Sequence, residues 1–354
     1  LTATLDWGLC IATLNRGDVL VRAVGLALSQ TRPPAEVVIA DASTDWQATR
    51  DRVAAVVGNR ARLVFEPAAA RSLTVQRNQA IRLARADILF LFDDDTLMYP
   101  DCADRIMARY AAHPSVVAIA AHHVPDAPED SAEGLDRKSV SPAAAGRIAT
   151  GGGAVARVLR RQLLLTDADC RFVGYDGADR RWHSAHSPQP PRHCHPIDFI
   201  NGFALTVRRA AVLREPFDEG LVGPSIAEDL DASYRLGRLG ALWRASDAHC
   251  HHLEAAGARS GRRVNSALAQ MNVAYFVRRH SARPTRDLAR LTLWSGRMTV
   301  ADLAKDLAGR RWTLPRFRGS VLALTWLPRI WAAPRGALVP WYQTVQRRIM
   351  AGAR

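Results

Sequence analysis

The sequence predicts an α/β protein: a Rossmann-type, mainly parallel sheet flanked by helices, with a helical C-terminal appendage. Three observations carry this. Through residue 122, short apolar runs alternate with stretches whose apolar residues recur at helical spacing, the pattern of strands joined by crossover helices. The chain has 354 residues, 48% of them hydrophobic, enough for a large core but long for one average domain. Beyond about residue 260 the strand-like runs stop and helical periodicity takes over. The expected division is therefore 5–260 for the α/β domain and 261–354 for the helical, basic remainder.

In order, "WGLCIATL" (7–14) reads as a buried strand and "DVLVRAVGLALSQ" (18–30) as a helix. "PPAEVVIAD" (33–41) is a turn leading into a second strand. "DWQATRDRVAAVV" (45–57) is a helix for which Ser43 or Thr44 would serve as N-cap. "ARLVFE" (61–66) is a third strand, "SLTVQRNQAIRLAR" (72–85) a helix and "DILFLF" (87–92) a fourth strand. A helix near 100–112 and the strand "SVVAIAAH" (115–122) follow. Residues 123–197 lose this rhythm, are rich in Pro, Ala, Gly and His, and read as loops or a variable insert. Regular structure resumes with "IDFINGFALTV" (197–207) and a helix from about Ala227 to Leu239. "VNSALAQMNVAYFVRRH" (264–280) opens the helical remainder.

Net charge is +14, which raises nucleic acid as a partner class. Only Lys138 and Lys305 of the 48 basic residues are lysine, so the placement of the arginines says more than their number. No nucleic-acid-binding module is recognisable, and nucleic acid is not an expected partner. Cys10, Cys102, Cys170, Cys194 and Cys250 are odd in number and widely spaced, which fits a reducing, cytoplasmic setting. No signal peptide is expected from the opening residues, and no spanning helix, since "GSVLALTWLP" is bounded by Arg318 and Arg329.

The chemically informative stretch is "FLFDDDTLMYP" (90–100), an apolar strand running into three consecutive carboxylates. Like charges this close repel, the more so out of water. A solvated turn would tolerate them, since Asp is a common turn residue. In an open parallel sheet, however, ligands bind beyond the carboxyl ends of the strands. Those ends carry Thr13 and Asn15, then Asp41, then Asp93, Asp94 and Asp95. In extended chain Asp93 and Asp95 would point the same way, roughly 6.5–7 Å apart, with Asp94 turned aside. A divalent cation, Mn²⁺ or Mg²⁺, together with a diphosphate would relieve the repulsion.

Several stretches resemble family 2 glycosyltransferases of the GT-A fold. They are "IATLNRGDVLVRAVGLALSQTRPPAEVVIADASTD", "SLTVQRNQAIRLARADILFLFDDDTLMYPD", "FDEGLVGPSIAEDLDASYRLGRLG" and "NVAYFVRRH", in family order. The resemblance implies a GT-A-like sheet domain and inverting transfer of a sugar from a nucleotide-sugar donor to an acceptor hydroxyl. By resemblance, Thr13 and Asn15 border the nucleotide, Asp41 contacts the base, and Arg77 lies near base and ribose. Asp93 and Asp94 join the donor site, with Asp93 at the ribose, and Asp95 ligates the metal. Asp229 of "AEDLD" matches the family's base, with Glu228 and Asp231 beside it; the same acids also suit the first turn of a helix. His252 matches a histidine near the metal, with His249 and His251 as neighbours. The chain departs from the family pattern at Ala12, where Pro is usual, and at Ala42, where many members carry a second acid.

Other readings fit less well. "DDDTL" echoes a phosphatase loop, but Leu97 stands where Thr or Val belongs and the stretch follows the fourth strand rather than the first. A nucleotidyltransferase would carry a Gly-rich phosphate loop after the first strand. A catalytically inactive, glycosyltransferase-like binding module would lack the metal or base carboxylates. The stretches "RHCHP" (192–196) and "AHCHH" (248–252) hold enough His and Cys for zinc, without a recognised spacing. From Arg310 onward there are nine Arg and no acid, and five of the nine Trp lie at or beyond Trp294. That pairing suits an anionic membrane surface. Pro315, Pro328, Pro334 and Pro340 would divide the tail into short surface-lying pieces. The expected acceptor is a glycan or lipid-linked glycan, and the expected location is the inner face of the plasma membrane.

Overall fold

The structure is a computed structural model that describes residues 5–129, 131, 133, 135, 163–165, 172–175, 188–255 and 261–352. Most of the stretch read as loops over 123–197, and Cys170 with it, lies outside the described residues. The described residues fall into two compact units. One holds those of Leu1–Lys138, Arg181–Glu219 and Glu228–Gly257; the other holds those of Ser139–Arg180, Gly220–Ala227 and Ala258–Arg354.

The first unit is built on one mixed sheet. Its strands are β1 (Trp7–Thr13), β2 (Glu36–Asp41), β3 (Arg62–Pro67), β4 (Ile88–Phe90), β5 (Thr96–Met98), β6 (Val116–His123), β7 (Cys194–Pro196), β8 (Leu205–Arg208) and β9 (Ala241–His252). They lie in the order β3-β2-β1-β4-β8-β6-β9-β5, with β7 paired to β9. The first four in that order are parallel, β8 is antiparallel to both neighbours, and β6 and β9 are parallel.

Alternate residues of the inner strands feed two cores. Trp7, Leu9 and Ile11 pack with α1 (Gly17–Leu28), α2 (Trp46–Val57) and α4 (Cys102–Ala112). Cys10, Val38 and Leu89 pack on the opposite face with α3 (Leu73–Leu83), α5 (Arg209–Arg214) and α6 (Glu228–Leu236). Strands covered on both faces need apolar residues at consecutive positions, which is why they read as unbroken runs rather than alternations.

Three local features depart from the sequence reading. The fourth strand ends at Phe90 rather than Phe92, because the chain turns at the carboxylates. The following Thr96–Met98 forms β5, antiparallel to β9, a strand too short to show a period. The residue ahead of α2 is Asp45, without a side-chain cap; Ser43 is instead bound to Asp41.

Two polar anchors set the strands that carry the site. Glu36, 2% exposed, accepts from the backbone N–H groups of Arg85 (2.6 Å) and Ala86 (2.7 Å) and pairs with Arg62, fixing the turn into β4. Arg105 and Arg109 of α4 grip Asp247 of β9 at 3.0 and 2.7 Å.

The second unit contains α7 (Arg262–His280), α8 (Pro284–Ala308), α9 (Pro315–Ala332) and α10 (Leu338–Ala351). Of the four prolines expected to divide it, Pro334 stands at the break between α9 and α10, and the other three do not interrupt a helix. Pro315 and Pro340 fall in first helical turns, where no intrahelical N–H is lost, and Pro328 lies inside α9. The N-terminus of α9 is satisfied from a neighbouring helix: Asp306 accepts from Arg316 N (2.7 Å) and Phe317 N (3.1 Å). Buried Tyr342 stacks on Tyr275 at 4.6 Å and donates to Asn272 at 2.6 Å. No helix among the described residues is long and apolar enough to cross a membrane.

At Gly319, α9 runs close against α7, and a Cβ there would overlap the carbonyl oxygen of Arg263. Gly319→Ala should therefore lower stability by about 1–3 kcal/mol, because one added methyl has no room. Denaturant unfolding followed by tryptophan fluorescence measures this. A variant as stable as the parent would mean that the helices part without cost.

Candidate active site

The ends of β1 and β2 form one wall of the site. Thr13 and Asp41 are register partners at those ends. The Thr13 hydroxyl donates to Asp94 at 2.7 Å. Asn15 is exposed, adopts a left-handed φ of 55°, and donates its backbone N–H to Ser43 Oγ at 2.7 Å. Ser43 in turn donates its N–H and its hydroxyl to Asp41 Oδ1. Asp41 is 1% exposed, and its Oδ2 is buried without a hydrogen-bond partner among the described residues. An acceptor left unpaired in this way is costly. Gln76 of α3 ties the wall together by donating to Thr13 O (2.8 Å) and Ala40 O (2.9 Å).

The three consecutive carboxylates go to three different environments. A turn closed by Thr96 N donating to Asp93 O at 3.1 Å, rather than extended strand, brings Asp93 and Asp95 to one side. Asp93 is half-buried and accepts from Arg77 at 2.8 Å. Asp94 is 4% exposed and turned inward to Thr13 and to Arg16 at 2.9 Å. Burial, opposed by the Arg16 charge, pushes the Asp94 carboxyl up to about 7. Asp95, 1% exposed, accepts from Ala255 N (2.9 Å) and Arg16 (3.3 Å) and pairs with His252 Nε2 at 3.1 Å.

Burial works against the charge of Asp95, but the hydrogen bond and charge of His252, with Arg16, outweigh it and lower its pKa. His252 shows the converse: burial opposes the imidazolium, and Asp95 prevails and raises its pKa. The imidazole lies flat on the Phe203 ring, centroids 4.5 Å apart and planes within 6°. Asp93, Asp95 and His252 each present a ligand atom, all within 4.8 Å of one another. Two carboxylate oxygens and an imidazole nitrogen suit Mn²⁺ or Mg²⁺, and the donor set fits a divalent cation.

On the other side of the carboxylates, Glu228 and Asp229 open α6. Asp229 is half-buried and accepts from Gly202 N (3.2 Å) and Leu230 N (2.9 Å). Burial raises its pKa, against the Gly202 N–H and the Arg77 charge. Glu228 is pushed up further, by burial and by Asp229 beside it. Asp231 points away and pairs with Arg235 at 2.8 Å. Arg77, expected at base and ribose, is 3% exposed and committed beneath the site to Asp93, Glu228 and the Gly202 carbonyl (3.2 Å). One buried guanidinium thus links the metal-ligand cluster to the helix that carries Asp229.

The sequence reading missed Arg16, Gln76, Ser43 and Phe203. Arg16 had a signal in its place directly after the first strand; Phe203 reads only as part of an apolar run. The other candidate histidines are engaged elsewhere, His249 with Ser246 O (3.2 Å) and His251 with Val124 O (3.0 Å). Cys194 and Cys250 are buried and free. Among the described residues the metal-ligand grouping is that of Asp93, Asp95 and His252, so the two His/Cys stretches do not assemble a zinc site there.

Residues 9–141 match the model of glycosyl transferase family 2. No curated protein matches the chain. Among solved structures, the fold is similar to that of the mannosyltransferase PcManGT from Pyrobaculum calidifontis in complex with GDP-Man and Mn²⁺. That match has 18% identity, covers 99% of this chain and 87% of that one, and has a TM-score of 0.51. TarS 1–349 from S. aureus, in complex with UDP-GlcNAc, matches at 14% identity over 98% of this chain and 92% of that one, with a TM-score of 0.48. The family match spans β2 to β6, most of β1 and the three carboxylates, so this stretch of the chain is similar to a glycosyl transferase family 2 domain, and it is carried on a GT-A-type fold.

Proposed function

We propose that the protein inverts configuration as it moves a sugar from a nucleotide-sugar to a hydroxyl of a glycan or lipid-linked acceptor, in surface polysaccharide or glycolipid synthesis. The supporting observation is the convergence of Asp93, Asp95 and His252 within 4.8 Å, tied through Arg77 to the helix of Asp229. Asp41 Oδ2 accepts an N–H of the base, while Thr13 and Asn15 border the nucleotide and Asp93 reaches toward the ribose. Asp95 and His252, with Asp93, would hold a divalent cation, Mn²⁺ or Mg²⁺, which when bound offsets charge on the departing nucleoside diphosphate. Arg16 and Arg77 hold the carboxylates in place before any ligand arrives.

Asp229 takes the proton of the acceptor hydroxyl as that oxygen attacks the anomeric carbon from the face opposite the diphosphate. The carboxylate form is the active one, and the backbone N–H groups of Gly202 and Leu230, one on each oxygen, hold it in place. The Arg- and Trp-rich helical unit supports a peripheral position at the inner face of the plasma membrane, where a lipid-linked acceptor would be found.

The purified protein with Mn²⁺ or Mg²⁺ should release nucleoside diphosphate from one member of a panel of nucleotide-sugars once an acceptor is present. Release from none would tell against transfer. Asp229→Asn should keep donor affinity while the rate falls about 10²–10⁴-fold. Rates equal to the parent's would move the base elsewhere. Because burial raises the pKa of Asp229, the base is protonated, and activity lost, at a higher pH than for an ordinary aspartate. The acid limb of the kcat/KM profile should therefore lie above the ordinary Asp value of 3.8. A limb at or below that value would contradict a half-buried Asp229 as base.

A further inference from the structure

The C-terminal helical unit holds a cavity of about 910 Å³ that the transfer chemistry does not use. It is an open groove among α7, α9, α10 and the 3-10 turn Arg335–Ala337. The volume lies within the range of ligand sites, roughly 300–1,000 Å³. Its wall is apolar and aromatic: Trp326 and Trp341, ring centroids 6.4 Å apart, with Leu322 and Ile349 beside them, all half-buried. The charged residues lining it are Arg263, Arg329 and Arg348, all exposed, and no acid lines it among the described residues. Arg329 sits over the Trp326 ring at 5.0 Å, so one cation is already held at the edge of the apolar wall.

An apolar trough with a purely cationic rim is complementary to a molecule that is apolar along its length and anionic at one end. A free phosphate would leave the tryptophans without a partner, and a neutral lipid would leave the arginines without one. We propose that this groove binds one anionic phospholipid, its acyl chain along Trp326 and Trp341 and its phosphate at Arg263, Arg329 and Arg348. The proposal rests on the membrane-surface part of the function given above and is independent of the sugar-transfer part. It makes membrane contact a seated lipid at one site rather than a diffuse attraction.

The test uses the full chain and a lipid that stays monomeric, dihexanoyl phosphatidylglycerol, titrated by calorimetry against its phosphatidylcholine counterpart and inorganic phosphate. One phosphatidylglycerol should bind per chain, at least about tenfold more tightly than phosphatidylcholine, with no heat from phosphate; the three arginines each contribute about fivefold. Ala337→Trp, which fills the groove from an exposed position, should abolish this binding, and Arg348→Ala should weaken it about fivefold. Both variants should keep the parent's circular dichroism and its affinity for a nucleoside diphosphate. Equal binding of the two lipids, binding of phosphate alone, or an Ala337→Trp protein that binds like the parent would each overturn the proposal. So would a dimer that forms without lipid and is lost in Ala337→Trp, since a second copy would then fill the groove. Co-sedimentation with phosphatidylglycerol vesicles that survives in Ala337→Trp, without monomer binding in the parent, would keep the membrane reading and discard the groove. Loss of nucleoside diphosphate release alone would bear only on the transfer reaction.

Discussion

The site depends on compensating three adjacent carboxylates, two of them almost fully buried. A buried charge without a partner costs several kcal/mol, so a charged Asp94 or Asp95 needs cations against it. Arg16 supplies one cation to both, and His252 supplies a second contact to Asp95. These partners come from the end of β1 and the end of β9, more than 230 residues apart in sequence. The sheet order that carries β9 back to pair with β5 is therefore also what places His252 beside Asp95. The register Thr96↔His252 fixes the imidazole one residue from the turn that holds the carboxylates.

The same compensation couples the two chemical ends of the site. Arg77 cannot leave Asp93 without uncovering Glu228, and Glu228 sits next to the Asp229 that would act as base. A buried pair of this kind contributes little net stability, but removing one member leaves a bare charge. Its value lies in holding Asp93 and the helix of Asp229 in one geometry.

How much of this was legible follows from the length scale of each signal. The strands and helices through residue 122 each span several residues and carry their own period, so pattern alone placed them. The three-residue β5 carries no period, and the turn at Asp93 could not be distinguished from continued strand by composition. Asp41 and the Asp93–Asp95 run stood out because they follow apolar runs. Arg16 stood directly after the first strand, but that place alone did not single it out among the many other arginines; its contacts with Asp94 and Asp95 do. Phe203 is invisible for the same reason, as its stacking on His252 joins residues from two separate strands' surroundings. In the tail, proline was read as a breaker, whereas Pro315 and Pro340 occupy first turns and α9 runs through Pro328.

The central claim is that Asp93, Asp95 and His252 form one cation site completed by a nucleoside diphosphate. Titrating Mn²⁺ by electron paramagnetic resonance, with GDP or UDP present, measures it directly by counting free ion in the parent and in Asp95→Asn. The account predicts one bound Mn²⁺ per chain in the parent and its loss in Asp95→Asn, with the fold intact by circular dichroism. Unchanged Mn²⁺ binding in Asp95→Asn would contradict it.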